Sequence, residues 1–288
     1  MTVYRRRRLW AAMAVILVLG AVAALLLAGR SSDGSGQSGP IGAGAGAADR
    51  AVSYGPELAA HTQKAMARPT AIHGDGPIFG VHGRTVERVA VPYPRGRVAL
   101  TFDDGPGTYT LQILSELRTL HARATFFVVG RNVKDSPATV RALRDAGMVI
   151  ANHTWSHIRM PGLGLAAQRA QIARTQNLLE ATIGQRPRFF RPPTWAWNRT
   201  TAQAVAEQGM LGVLFSIDTR DWSRPGVVSI VRRALQAHDG QIIALHDAGG
   251  DRAETVEALP LIVKGLRARG LEPVTLDELF RKAGTSPS

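Results

Sequence analysis

The chain contains no cysteine. Structural disulfides, haem attachment through Cys-x-x-Cys-His and every cysteine-based zinc site are therefore excluded. Any metal must sit on His, Asp or Glu. No glycine-rich phosphate loop follows the first strong strand signal, near residue 98, which argues against nucleotide binding. The His-Glu-x-x-His protease signature is missing too, because Thr154 stands where the Glu would be between His153 and His157. Nor does a dense basic block interleave with aromatics. Arg141, Arg144, Arg169, Arg174, Arg232 and Arg233 are scattered along helix signals. The net charge of +13 thus reads as solvated helix faces with some attraction to an anionic wall, not as a nucleic-acid site.

What is present divides the 288 residues into one large domain with appendages. Residues 1–8 form a basic stub containing Arg5, Arg6, Arg7 and Arg8. The next 21 residues, 9–29, carry no charge. At about 1.5 Å per residue they would span roughly 30 Å, the thickness of a bilayer core. The arginines in front predict a cytoplasmic N-terminus, a single transmembrane signal-anchor helix and an extracellular domain at the cell membrane. The alternative is a cleaved signal peptide and a secreted protein, although the apolar core of such peptides is usually shorter. Residues 30–50, rich in Gly, Ser and Ala, read as a flexible linker. Residues 51–94 are weakly patterned, with one short helix signal over 57–66, and read as a stalk or an N-terminal extension.

From residue 95 to 284 the pattern becomes regular. Strand signals at 98–102, 124–129, 148–151, 189–190, 213–217 and 242–245 alternate with helix signals. Those helices fall at 110–120, 137–146, 165–183, 200–208, 227–237, 256–269 and 276–282. Strand–helix alternation predicts a parallel sheet. Polar clusters after several successive strands favour a closed or nearly closed barrel over an open doubly wound sheet.

Five such clusters stand out. The first is Thr101-Phe102-Asp103-Asp104-Gly105-Pro106. Neighbouring strand residues face opposite ways, so a break at the Asp pair can bring both carboxylates to one cleft with different tasks. One could bind a metal while the other acts as a base. An ordinary Asp-Asp-Gly-Pro turn is the competing reading. The second cluster, Asn152-His153-Thr154-Trp155-Ser156-His157, places two His at i and i+4, where a helical turn would aim both imidazoles to one side. Surface or capping histidines are an equal alternative. The third is Arg191-Pro192-Pro193-Thr194-Trp195, an extended segment whose Arg could orient a carboxylate. The fourth is Asp218-Thr219-Arg220-Asp221-Trp222, and the fifth is Ile243-Ala244-Leu245-His246-Asp247. A His at a strand's mouth near a carboxylate could serve as a general acid.

In this order, these segments resemble the five motifs of the polysaccharide deacetylase family, the NodB-homology domains or family 4 carbohydrate esterases. The resemblance covers residues 95–280. It implies a distorted (β/α) barrel, preceded here by the transmembrane helix, and metal-dependent removal of acetyl groups from sugars. Asp103 would be the base. Asp104, His153 and His157 would hold the metal, most often zinc. Arg191 would orient the base, Asp221 would tune His246, and His246 would be the acid. Asp218 is the second choice for the tuning carboxylate. Trp222 and Leu245 would form apolar walls around the acetyl methyl, and the Thr194 N–H would serve the oxyanion. Where the family usually has Tyr-Gly, this chain has Thr194-Trp195. Trp195 and Trp197 could stack on a sugar or simply pack.

The expected substrate is an N-acetylated polysaccharide, with N-acetylglucosamine in peptidoglycan first. Chitooligosaccharides come second and acetylated xylan third. The expected partners are that polymer and the membrane, with no nucleic acid, and the protein is expected to be a monomer. A non-catalytic sugar-binding wall protein on the same fold is the reading from a different class.

Overall fold

Alternation of apolar and polar side chains organises the central strand, β3 (Arg97–Asp103). Val98, Leu100 and Phe102 are fully buried in the main core, while Thr101 and Asp103 project to the opposite side. Strand β9 (Ile242–His246) repeats the pattern, with Ile243 and Leu245 in the main core and Ala244 and His246 turned the other way. The two strands run parallel, and their register sets Asp103 opposite His246. A carboxylate and an imidazole are thus brought together by pairing alone.

The computed structural model describes residues 78–82, 85–88 and 96–280; for the first two segments only the backbone is described. The predicted membrane helix at 9–29, the linker at 30–50 and the helix signal at 57–66 lie outside the described residues. Among the described residues, no helix is long and apolar enough to cross a membrane.

The chain begins with a hairpin of β1 (Ile78–His82) and β2 (Thr85–Arg88). After β3 come α1 (Thr110–Thr119), β4 (Thr125–Val128), α2 (Gly130–Asp135), α3 (Pro137–Asp145) and β5 (Val149–Asn152). Next are α4 (Leu165–Ile183), β6 (Phe189–Phe190), α5 (Arg199–Glu207), β7 (Leu211–Val213), β8 (Ile217–Asp218) and α6 (Val227–Ala234). The chain closes with β9, α7 (Ala253–Ala268), β10 (Glu272–Val274) and α8 (Leu276–Leu279). Local chemistry sets several of these limits. Asn198 caps α5 by accepting from Thr201 N at 2.8 Å, and Thr275 and Glu278 form a capping box at α8.

The sheet order is β2-β1-β7-β6-β5-β4-β3-β9-β8, with β10 beside the first half of β3. All pairings are parallel except those made by β1. No pairing joins the β2 and β8 ends among the described residues, so the sheet is a distorted half-barrel and does not close. The closed or nearly closed barrel expected from the polar clusters is thus present in its distorted, open form. The single strand expected over 213–217 is in fact β7 and β8, separated by a break that opens the barrel at this point. Part of the weakly patterned 51–94 segment is the β1–β2 hairpin, which pairs antiparallel with β7 at the sheet edge.

Helices pack against the outer face around Phe102 and Phe126, whose rings stack at 5.0 Å between centroids. Burying each such ring stabilises the fold by about 1.5–3 kcal/mol. Inside, Ala99, Phe127, Ala151, Phe189, Ile242 and Leu276 belong to a second apolar cluster. Polar side chains take over the interior toward the C-terminal strand ends, where barrel folds carry their sites.

Candidate active site

The break after β3 places both carboxylates of the Asp pair in one cleft. Asp103 ends the strand, and Asp104 follows with φ 79°, a left-handed conformation that reverses the normal alternation. Both residues line a cleft of about 420 Å³, together with His153, His157, Thr194, Trp195, Trp222, His246, Gly249 and Arg252. Strained backbone gathers here: Thr154, His157, Thr194, Trp195 and Arg220 also have positive φ. Such conformations cost of order 1–3 kcal/mol each, and they persist only where the surroundings over-determine them.

Asp103 is almost completely buried and its two oxygens differ. Oδ1 accepts from Arg191 Nη1 at 2.7 Å, whereas Oδ2 has no hydrogen-bond partner. Arg191 is fully buried and held by four acceptors. Besides Asp103, they are Thr101 Oγ1 at 2.9 Å, Leu214 O at 2.9 Å and Val213 O at 3.2 Å. Its guanidinium also lies 4.1 Å from the centre of the Phe127 ring. Burial lowers its pKa from the usual arginine value, and the charge of Asp103 opposes that shift. One oxygen of Asp103 is thus pinned and the other is free to take a proton.

The His pair does not meet on a helical turn as the i, i+4 spacing suggested. His153 follows β5, and Thr154 and His157 both adopt left-handed backbone (φ 68° and 56°). The loop between them is held by Gln171 Oε1 of α4, which accepts from Trp155 N and Ser156 N at 3.0 Å each. Asp104, His153 and His157 bring one ligand atom each to within 4.8 Å of one another. His157 Nε2 lies 3.0 Å and His153 Nε2 3.5 Å from Asp104 Oδ1.

These donors fit a divalent cation. His153 Nδ1 donates to Arg191 O at 2.7 Å, which leaves its Nε2 as a lone pair facing Asp104. Asp104 Oδ1 is itself buried without a well-aimed donor. Burial alone would raise the pKa of Asp104, but the imidazoles of His153 and His157 beside it outweigh that and hold it well below the ordinary carboxylate range. His157 is shifted upward by the same carboxylate, and a cation would displace that proton.

Across the cleft, His246 Nδ1 is 2.8 Å from Asp221 Oδ1. Asp221 is buried and fully engaged. Its Oδ2 accepts from His246 N and Thr255 Oγ1, both at 2.8 Å, and its Oδ1 from Trp222 N at 3.0 Å. Burial disfavours the imidazolium, yet Asp221, with further help from the charges of Asp103 and Asp104, raises His246 to about 9. Asp218, the second choice for this role, instead accepts from Arg220 N at 2.8 Å.

Not every residue singled out from the sequence reaches the cleft. Leu245 is fully buried in the outer core, because it alternates with His246 along β9. Trp197 packs against Gly212 and Phe190. Trp195 does line the cleft, edge-on to Phe215 at 4.6 Å and 6.5 Å from His246 between ring centroids. Trp222 is 41% exposed at the rim. Sequence reasoning passed over Gly249 and Arg252. The Gly249-Gly250 pair was the available signal: a Cβ at Gly249 would stand 2.5 Å from Asp104 Oδ2. Arg252 ties that loop down by donating to Ala248 O, Gly249 O and Asp251 O.

Comparison with known proteins agrees with this geometry. Residues 90–213 match the polysaccharide deacetylase family. A peptidoglycan-N-acetylglucosamine deacetylase of Bacillus cereus is 38% identical over 195 residues, which cover 66% of this chain and 91% of that protein. The structure of a family 4 carbohydrate esterase from Streptomyces lividans, in complex with acetate, is similar with a TM-score of 0.60 and 38% identity, covering 62% of this chain and 91% of that one. A pseudoenzyme of the same family is also similar, with a TM-score of 0.62 and 28% identity, covering 66% of this chain and 71% of that one. The fold is therefore compatible with a silent site, and the side chains present must decide. The chain belongs to the polysaccharide deacetylase family, the NodB-homology or family 4 carbohydrate esterases.

Proposed function

We propose that this protein is a metal-dependent hydrolase that removes N-acetyl groups from the N-acetylglucosamine units of a cell-surface polysaccharide, peptidoglycan foremost. The observation that carries the reading is the pairing, across one cleft, of an Asp103 with a free Oδ2 and a His246 held as an acid by Asp221. A non-catalytic wall protein would need neither.

Asp104, His153 and His157 would hold the metal, and two imidazoles with one carboxylate suit zinc. When bound, it supplies Lewis-acid stabilisation of charge at the acetamide oxygen. The rest falls to the chain. Arg191 fixes the Asp103 carboxylate so that Oδ2 faces the cleft and takes a proton from the attacking water. The water oxygen bonds to the carbonyl carbon. The Thr194 N–H donates to the oxyanion, and backbone donors aimed in this way are a common device for such charge. His246, with Nδ1 tied to Asp221, presents Nε2 to the sugar nitrogen and protonates it as the C–N bond breaks. Acetate and a free amine leave. Trp222 and Trp195 flank the substrate, and Trp195 narrows the cleft where glycine is usual in the family.

The membrane anchor at 9–29 and an outward-facing domain belong to the same reading. The uncharged run and the arginines before it support them, and an anchored domain meets the wall polymer first.

The raised pKa of His246 sets the pH dependence. An acid must carry its proton, so activity falls as pH rises through about 9. Asp221→Asn removes the charge that raises it, and the alkaline limb of the kcat profile should move acidward by about 1–2 pH units. A limb left unmoved would separate Asp221 from the acid.

Acetate release from peptidoglycan, chitin oligomers and acetylated xylan, with products resolved by mass, tests the substrate. The highest kcat/KM is expected on peptidoglycan, with loss of one acetyl per glucosamine. Turnover confined to acetylated xylan would overturn the reading.

A further inference from the structure

The residue after the acid, Asp247, is the most unusual buried group left without a role. It is fully buried, and its Oδ1 has no hydrogen-bond partner. Its Oδ2 accepts from Thr110 Oγ1 at 2.5 Å. That hydroxyl accepts in turn from Gly107 N at 2.7 Å, so its single proton is committed to Asp247. Asp247 N donates to Asp103 O at 3.2 Å. The carboxyl also fills the space beneath Gly105: a methyl group there would collide with both of its oxygens.

The turn that carries Asp103 and Asp104 is thus caged. Val129 N holds Gly105 O at 2.8 Å, and Asn132 Nδ2 holds Asp104 O at 2.8 Å. On the remaining side, Asp247 is the wedge. We infer that Asp247 is a positioning residue, a buried hydrogen-bonding acid that acts through Thr110, Gly107 and the Asp103 carbonyl to hold the Asp104 carboxylate in ligand geometry.

The wedge works through shape and the Thr110 hydrogen bond, and neither needs a charge on Asp247. Burial first, then the charges of Asp104 and Asp103, raise the Asp247 pKa to about 7, while the Thr110 hydrogen bond opposes them. Asn reproduces the shape of the neutral acid and its acceptor toward Thr110, whereas Ala reproduces neither. The inference rests on the metal-site reading above.

The test is zinc binding by the full chain stripped of metal, with competition against a chelator and with kcat and KM measured separately. Asp247→Ala should weaken zinc binding by about 10–100-fold, the usual cost of losing a residue that orients a ligand. It should lower kcat more than it raises KM. Asp247→Asn should restore most of the affinity lost in the Ala variant. Thr110→Val, which removes only the relay hydroxyl, should weaken zinc in the same direction and keeps the test open if the Ala variant does not fold. Unchanged zinc affinity in Thr110→Val or Asp247→Ala would overturn the inference alone. So would an Asn variant as impaired as Ala, because charge would then be what matters. Wild-type protein that binds no zinc would overturn the metal-site reading and this inference together.

Discussion

Asp103→Asn should lower kcat by about 10³-fold, within the 10²–10⁴ range of general-base catalysis, while zinc affinity stays near that of the wild type. The two effects separate because adjacent residues do different work. Asp103 keeps one oxygen on Arg191 and the other free, and Asp104 faces the imidazoles. Asn is the informative substitution. It preserves the fourth acceptor of the buried guanidinium, whereas Ala would remove acceptor and carboxylate together, at a cost of about 3–5 kcal/mol. A stable Asn variant with normal metal content and normal turnover would remove Asp103 from the chemistry. The measurement is kcat on a soluble N-acetylglucosamine oligomer beside zinc content by atomic absorption.

His153→Ala should abolish metal binding and activity together. The affinity loss should exceed 100-fold, because removing an orienting partner alone costs about 10–100-fold and here the ligand itself goes. A second consequence distinguishes His153 from His157. The imidazole of His153 also donates to Arg191 O, so its removal frees the backbone beside the arginine that orients the base. His157, with its side chain 40% exposed, has no such link. Added zinc at high concentration should therefore recover more activity in His157→Ala than in His153→Ala. Equal recovery would limit His153 to coordination.

The parts of this site that were legible in the sequence are those governed by strand alternation and residue chemistry. Val98, Leu100 and Phe102 announced a buried strand, and the carboxylates at its end left a turn and a cleft both open. The cysteine-free composition had already restricted metal ligands to His, Asp and Glu. Joining five clusters into one site required the family resemblance, since register such as Asp103 opposite His246 is a long-range property. What stayed hidden was set by tertiary context. The His153–His157 spacing suggested a helical turn, but left-handed residues and Gln171 build the loop. Leu245 neighbours His246 in sequence and faces away from it in the sheet. The break between β7 and β8 falls within one apolar run, where Leu214 and Val213 turn their carbonyls to Arg191. Local pattern carries no sign of that demand. Gly105 reads as turn chemistry, and the roles of Gly105, Gly249 and Asp247 lie in what stands against them in space.

Metal dependence of acetate release is the most direct measure of the site as a whole. The full chain would be stripped by chelator, assayed on peptidoglycan, and assayed again after zinc is returned at one equivalent. The expected result is loss of release on stripping, recovery on reloading, and no recovery in Asp104→Asn, the acidic member of the ligand set. Release by the stripped protein at the untreated rate, or full recovery in Asp104→Asn, would contradict a metal-dependent deacetylase built on these three residues.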